Sequence, residues 1–489
     1  MKRPPGRLNA ALIYVALTSA VVSSLGMLLV PTISHEMQVD VSTAQWMLTV
    51  NLLVGATATP VMGRLSDGPH KKRLLLISLT TILVGSVIAA MAPGFAVFLV
   101  GRALQGLSYG IVPVTIALGR RYLAEDQVKA SISTLSVTVT SGLGLGYPLT
   151  GILGAVFGFR IAFWFAAVFL LTTIVVVWRV VPDGPDQRAP RTAFDFTGTA
   201  LLGIGLACLL LVAAEGARWG WDSLWTAAVT VCAVVLLATW CRVELRTPHA
   251  LVNLRVLRNS DVLVAHGTAI GLGAAMYAGL SIVSLIAQAP ESTGYGVALP
   301  LFWAGFVMLP LSLGSFGANR IVRAVSPYIS MRALLLPGAG LVTASSVLLL
   351  PAHDELWEIV AGMFGFGAGI GTTYAAMPAL IARSVADLEL GSAVSFNQVL
   401  RTVGGSFGSA ASGAVLAAHL GPGGLPTAEG IRVALAASAI GCALVLGMLV
   451  IAALTGRRPR RRWPLSADEP SEVGHPDGPG ARSVRRRTP

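Results

Sequence analysis

Residues 101–110, GRALQGLSYG, hold two groups that could do chemistry. Gly106, Ser108 and Gly110 spell G-x-S-x-G, the spacing that exposes a nucleophilic serine in many hydrolases, and Arg102 stands six residues earlier. A nucleophile elbow requires a strand before the serine, a sharp turn, and His and Asp partners. The flanks, APGFAVFLVGRAL and IVPVTIALG, read instead as continuous apolar helix. Of seven histidines only His266 lies well inside an apolar segment. No nucleophile–base pair or metal cluster emerges, so a membrane enzyme is the weaker class. On a helix, Arg102, Gln105 and Tyr109 fall at i, i+3 and i+7 and share one face. A mid-membrane arginine costs at least ~2.5–3.5 kcal/mol on insertion scales, so that face must look into a bundle or a watery cavity. Structural pairing and a part in transport are both open to Arg102.

A second such face carries Asn397, Arg401, Gly404 and Gly408, where the glycines leave room for a neighbouring helix or a solute. Two buried arginines with no acid at mid-depth make a positive cavity. Such a cavity disfavours lipophilic cations and favours neutral, weakly anionic or zwitterionic amphiphiles; satisfaction of both arginines by backbone carbonyls is the alternative. Tyr109, Tyr277, Trp303 and Tyr374 could line an apolar pocket or simply pack. Glu36, Glu215 and Asp261 all stand near span ends. The candidates to carry a proton are therefore His266, an imidazole with an ordinary pKa of about 6.5, and Asp67. A packed, hydrogen-bonded core histidine is the alternative for His266.

The elements that must position these groups follow from composition. The chain has 489 residues, 54% hydrophobic and 12% charged, against roughly a quarter charged in a soluble domain. Fifty-four glycines suit helices packed backbone to backbone. Nearly every twenty-residue window between positions 10 and 455 can cross a bilayer. Twelve core spans are expected near 8–31, 43–63, 73–92, 95–119, 131–156, 161–182, 260–288, 297–317, 331–351, 356–382, 391–419 and 432–454. Two more, near 196–215 and 224–244, make fourteen and look peripheral by position. The domain reading is an N-terminus at 1–7, a six-helix bundle at 8–182, a linker with two added helices at 183–259, a second bundle at 260–455 and a disordered basic tail at 456–489. Cys208, Cys232, Cys241 and Cys442 show no metal spacing and read as packing residues.

The net charge of +12 lies on alternate loops: Lys71, Lys72 and Arg73; Arg120, Arg121 and Lys129; Arg188 and Arg191; Arg242, Arg246, Arg255 and Arg258; Arg320, Arg323 and Arg332; then the tail. Arg160, Arg218 and Arg432 are exceptions. This is the positive-inside pattern, which places both termini in the cytoplasm and argues against nucleic acid.

Four segments carry a resemblance. LVGRALQGLSYG resembles the fourth-helix R-x-x-Q-G motif of the major facilitator superfamily, with Arg102, Gln105 and Gly106 in register. GRLSDGPHKKRLL resembles its loop motif at Gly63, Leu65, Asp67, Lys71 and Lys72, while Gly68 and His70 depart from it. GLGLGYPLTGILG resembles the fifth-helix antiporter motif at Pro148 and Gly151, with Tyr147 and Ile152 replacing glycines. NQVLRTVGGSFGSA resembles the eleventh core helix of fourteen-span drug:proton antiporters at Asn397, Arg401, Gly404 and Gly405. The resemblance implies an all-α polytopic membrane protein with the major facilitator fold, two six-helix bundles and two extra central helices.

It further implies a plasma-membrane secondary transporter that exports small amphipathic or antibiotic-like compounds by alternating access in exchange for protons. It would need no cofactor or metal, and its partners would be a small-molecule substrate, protons and the bilayer, with the chain acting as a monomer. An importer or facilitator, or a transporter uncoupled from protons, is the alternative. Asp67 would belong to a latch closing the cytoplasmic side, facing a helix end or a cation, a solvated turn with basic residues held inside being the alternative. Gly142, Gly146, Pro148 and Gly151 would form a hinge on the fifth helix where the bundles meet, simple tight packing being the alternative. One departure stands out: the first-helix aspartate of the branch is Val22 here, which excludes coupling through that carboxylate.

Overall fold

The computed structural model describes residues 5–39, 41–123, 125–183, 195–247, 251–351, 355–386, 390–421 and 425–455. Arg188, Arg191, the tail at 456–489 and the side chain of Lys129 lie outside the described residues.

Fourteen helical segments of spanning length run through the described residues. They are α1 (Pro5–Ser24), α2 (Trp46–Asp67), α3 (Lys71–Met91), α4 (Phe95–Tyr122), α5 (Glu125–Phe157), α6 (Phe159–Val180) and α7 (Phe196–Trp219). The rest are α8 (Leu224–Arg246), α9 (Ser260–Gln288), α10 (Leu301–Val325), α11 (Met331–Leu348), α12 (Leu356–Ser384), α13 (Leu390–Ala418) and α14 (Ala428–Thr455). Thirteen are apolar enough to cross a bilayer on composition alone, and α13, rich in Ser, Gly and amide side chains, is the fourteenth by length. Among the described residues the β-structure is a single isolated bridge, Leu420 to Pro426.

Side-chain caps start several of these helices by satisfying backbone N–H groups that have no intrahelical partner. Asp195 accepts from Gly198 N at α7, Asn259 from Asp261 N at α9, and Ser330 from Ala333 N at α11. Glu355 and Glu358 form a reciprocal capping box at α12. Arg160, an exception to the charge pattern, donates to the carbonyls of Ala90 and Ala92 at the end of α3 (3.1 and 2.8 Å). That is a favourable place for a cation.

The helices α1–α6 pack into one bundle and α9–α14 into another, in contact through α2 with α13 and through α5 with α10 and α12. Leu444, Leu454 and Trp178 remain exposed, as expected of side chains that face lipid. Packing is backbone to backbone where glycine permits it. A methyl on Gly404 or Gly408 of α13 would overlap the backbone of Ile270 or Ala274 on α9, and one on Gly273 of α9 would overlap Arg401. The room left by these glycines is taken by a helix.

Three expectations need correction. The first span is broken: α1 ends at Ser24, Gly26 turns the chain at φ 99°, and a short helix, Val30–Glu36, follows. The helix around Arg102 is interrupted by a 3-10 turn, Gly106–Gly110. The added pair is peripheral only in part. α8 exposes Leu224, Trp225 and Val231, but α7 packs against both α2 and α13. There Leu202 and Leu206 join Trp240, Val252, Phe396 and Val399 in a separate apolar cluster.

Candidate functional site

A narrow hollow lies between the bundles. Ser19 and Ser23 of α1 and Tyr109 of α4 line it from one side; Tyr277 of α9, Tyr374 of α12 and Arg401 of α13 line it from the other. Among the residues lining it, Arg401 alone carries a formal charge. Its guanidinium lies 4.4 Å from the Tyr374 ring centroid and donates through Nη2 to Gln398 Oε1. Its Nε is buried with no hydrogen-bond partner. The Tyr109 hydroxyl is likewise buried with no partner in hydrogen-bonding geometry, beside Ser23 and Tyr277.

Close approach fixes these tyrosines. A methyl on Gly55 of α2 would come 2.5 Å from the Tyr109 ring, and one on Gly405 would come equally near Tyr277. Only glycine leaves room for both rings.

Arg102 faces elsewhere. It is fully buried within the first bundle, where Nη1 donates to Gln105 Oε1 at 2.7 Å and Nε to Met47 O at 3.3 Å. The Phe163 ring lies 5.7 Å away, and Nη2 has no partner. Gln105 Nε2 donates in turn to Ser86 Oγ at 2.8 Å. Tyr109 lies within the 3-10 turn and reaches the hollow, whereas Arg102 and Gln105, ahead of that turn, are held inside the bundle.

His266 and Asn397 also lie off the hollow. Asn397 Nδ2 donates to His266 Nδ1 (3.1 Å) and to Ala265 O (3.2 Å), and the imidazole meets Phe396 edge-on at 5.3 Å. His266 borders a smaller cavity with Leu254, Ser392 and Phe396. Trp303 is 58% exposed at the start of α10, edge-on to Phe302 and tilted against Phe306. An aromatic there is placed for a membrane interface, not for the hollow.

At the basic end the hollow is shut by α2 against α13. Asp67, the last residue of α2 and not a loop residue, is buried and accepts hydrogen bonds from Gly391 N (2.9 Å) and Ser392 N (3.1 Å). These are orphan N–H groups at the start of a 29-residue helix, where a carboxylate is favoured. Gly63, one turn earlier, leaves no room for a side chain against Ser395 and Gly391. Lys71 Nζ donates to Gly68 O at 2.8 Å, and Lys72 pairs with Asp183 at 2.6 Å. Both lysines thus brace the turn and α6 and do not reach the other bundle through these bonds.

At the opposite end α5 closes against α10. A methyl on Gly151 would come 2.9 Å from Leu301 O, and one on Gly305 would come 3.1 Å from the Pro148 backbone. Closer to the hollow, Ser312 Oγ donates to Ser141 O at 2.7 Å, and Gly144 lies under Ser312. Gly142 and Gly146 point the other way, toward Ala20 and Ser24 of α1. Sequence reasoning missed Ser19, Ser23 and Gln398 of the lining, and it missed Gly144. Its signal was present in the alternation of glycines, but the face turned to the second bundle was not.

A sequence profile described as Major Facilitator Superfamily matches residues 11–409. Two Mycobacterium tuberculosis relatives, described as uncharacterized MFS-type transporters, are 25% identical over 415 residues, covering 83% of this chain; the chain spans only 58% of their length. The multidrug resistance protein Stp of Mycobacterium tuberculosis is 24% identical over 80% of this chain and 72% of its own. The tetracenomycin C resistance and export protein of Streptomyces glaucescens is 24% identical over 83% and 74%. The crystal structure of the human organic anion transporter MFSD10 (TETRAN) shares the fold, with TM-score 0.64 and 15% identity over 91% of this chain and all of that one. With two six-helix bundles about a central hollow and a profile match across most of its length, this multi-pass membrane chain belongs to the Major Facilitator Superfamily of transporters.

Proposed function

We propose that the chain exports small amphipathic, antibiotic-like compounds across the plasma membrane by alternating access, with both termini in the cytoplasm. One observation carries the reading: the hollow is closed at both ends by different pairs of helices. Asp67 and Gly63 meet α13 at the basic end, and Pro148 and Gly151 meet α10 at the other. Two independent closures around one site are what rocking of one bundle against the other requires. Likeness to the tetracenomycin C resistance and export protein, and to the multidrug resistance protein Stp, supports export. The lining tyrosines support a flat, largely apolar solute.

Exchange for protons is the coupling that the resemblance implies. An uncoupled transporter is the second reading, favoured by the lining: its formal charge comes from Arg401, and His266 lies off it. Flux of fluorescent amphiphiles in everted vesicles, with the pH gradient imposed and then collapsed, separates the two. Expression in a host cell tests direction. An exporter lowers accumulation of at least one compound, and a rise instead would make the chain an importer.

A further inference from the structure

The hollow presents an electrostatic problem that its own residues do not solve. Arg401 is 4% exposed, and no carboxylate among the described residues pairs with it. Its Nε makes no hydrogen bond. The neighbours that it does have, the Tyr374 ring and the Gln398 amide, are neutral dipoles. A guanidinium held inside the hydrocarbon layer is costly unless paired. A cationic solute sealed beside it would raise that cost through like-charge repulsion at low dielectric, and a neutral one would leave it unchanged. An anion cancels it, through the bidentate geometry that guanidinium offers to carboxylates and sulfonates. The three tyrosines then stack on the apolar part of the same molecule.

We propose that the substrate is an aromatic organic monoanion anchored on Arg401, and that membrane voltage, rather than a proton, drives it out. This rests on the export reading above. The occluded complex is neutral, since one guanidinium meets one anionic group, and the lining offers no carboxylate or imidazole to bring a counter-proton. Each cycle therefore moves one net negative charge outward, whichever half-cycle carries it. With the cytoplasm negative, that movement runs downhill, and a 100 mV potential sustains about a fifty-fold concentration ratio.

The test uses the full chain in proteoliposomes holding naphthalene-2-sulfonate, whose charge does not titrate. A potassium–valinomycin potential, interior negative, is imposed at equal pH; in a second arm a pH gradient is imposed with voltage clamped at zero. Efflux in the first arm only is the expected result, with loss of that efflux in Arg401→Gln and partial retention in Arg401→Lys. Both variants must remain monodisperse at wild-type yield; if Arg401→Gln does not, the Arg401→Lys flux and the wild-type voltage dependence decide. Efflux that follows the pH gradient, or an Arg401→Gln protein as fast as wild type, overturns the proposal. Transport of ethidium without naphthalene-2-sulfonate overturns it while leaving the export reading intact. Transport of neither, with no change in cellular accumulation of any compound, removes both.

Discussion

Asp67 concentrates the mechanics of the basic end in one side chain. Its two oxygens accept from two backbone N–H groups of α13 (2.9 and 3.1 Å), each such bond worth about 0.5–1.5 kcal/mol net. Asp67→Asn keeps one acceptor and replaces the other with a donor facing N–H. The expected outcome is a shift toward states open at the basic end. It is read as faster thiol labelling in a Ser395→Cys background, together with reduced flux. Undiminished flux at normal expression would remove the latch. Gly63 acts at the same contact by shape. Gly63→Val cannot close against Ser395 and Gly391, so flux is expected to fall at least ten-fold while the protein still reaches the membrane; wild-type flux would show that this contact never needs to form.

At the scale of the element, α5 has two faces with separate duties. Gly142 and Gly146 receive Ala20 and Ser24 of α1 inside one bundle, whereas Gly144 and Gly151 receive Ser312 and Leu301 from the other. Overpacking a tight contact costs about 1–3 kcal/mol, but its consequence depends on which face bears it. Gly142→Val is expected to lower thermal stability and yield. Gly144→Val is expected to leave yield near normal and to suppress flux by preventing closure of the non-basic end. Equal effects of the two on both readouts would refute the division. The existence of α5 and of its small-residue stripe was legible in the sequence, because glycine spacing and Pro148 are local. The stripe's partner was not, since residues two apart on a helix point about 200° apart and no local signal says which face meets which neighbour. Arg102 lies inside its bundle and off the hollow, and the 3-10 turn at Gly106–Gly110 that carries Tyr109 was not legible from an apolar run. Arg401 lines the hollow from α13, which stays α-helical from Leu390 to Ala418.

For the whole molecule, the added pair α7–α8 is the part that position along the chain described least well. An insertion between bundles needs only to pass through lipid, and α8 largely does that. But α7 lies where α2 and α13 meet, the same two helices that Asp67 joins. Trp240 of α8 holds this corner: its Nε1 donates to Glu244 Oε1 at 2.9 Å, and its ring packs 5.9 Å from Phe396 of α13. Phe396 in turn meets His266, so the pair braces the α9–α13 side of the basic end. Trp240→Ala removes a large buried ring, a change that typically costs about 3–5 kcal/mol in a packed site, and leaves the Glu244 carboxylate without that donor. The expected result is a clear fall in the melting temperature of the detergent-solubilised protein, with flux falling alongside because the basic end closes against a loosened α13. Trp240→Phe, which keeps most of the ring and loses the N–H, should recover the greater part of the melting temperature. If Trp240→Ala melts like wild type and transports as fast, α7 and α8 are passengers, and closure of the basic end belongs to α2 and α13 alone.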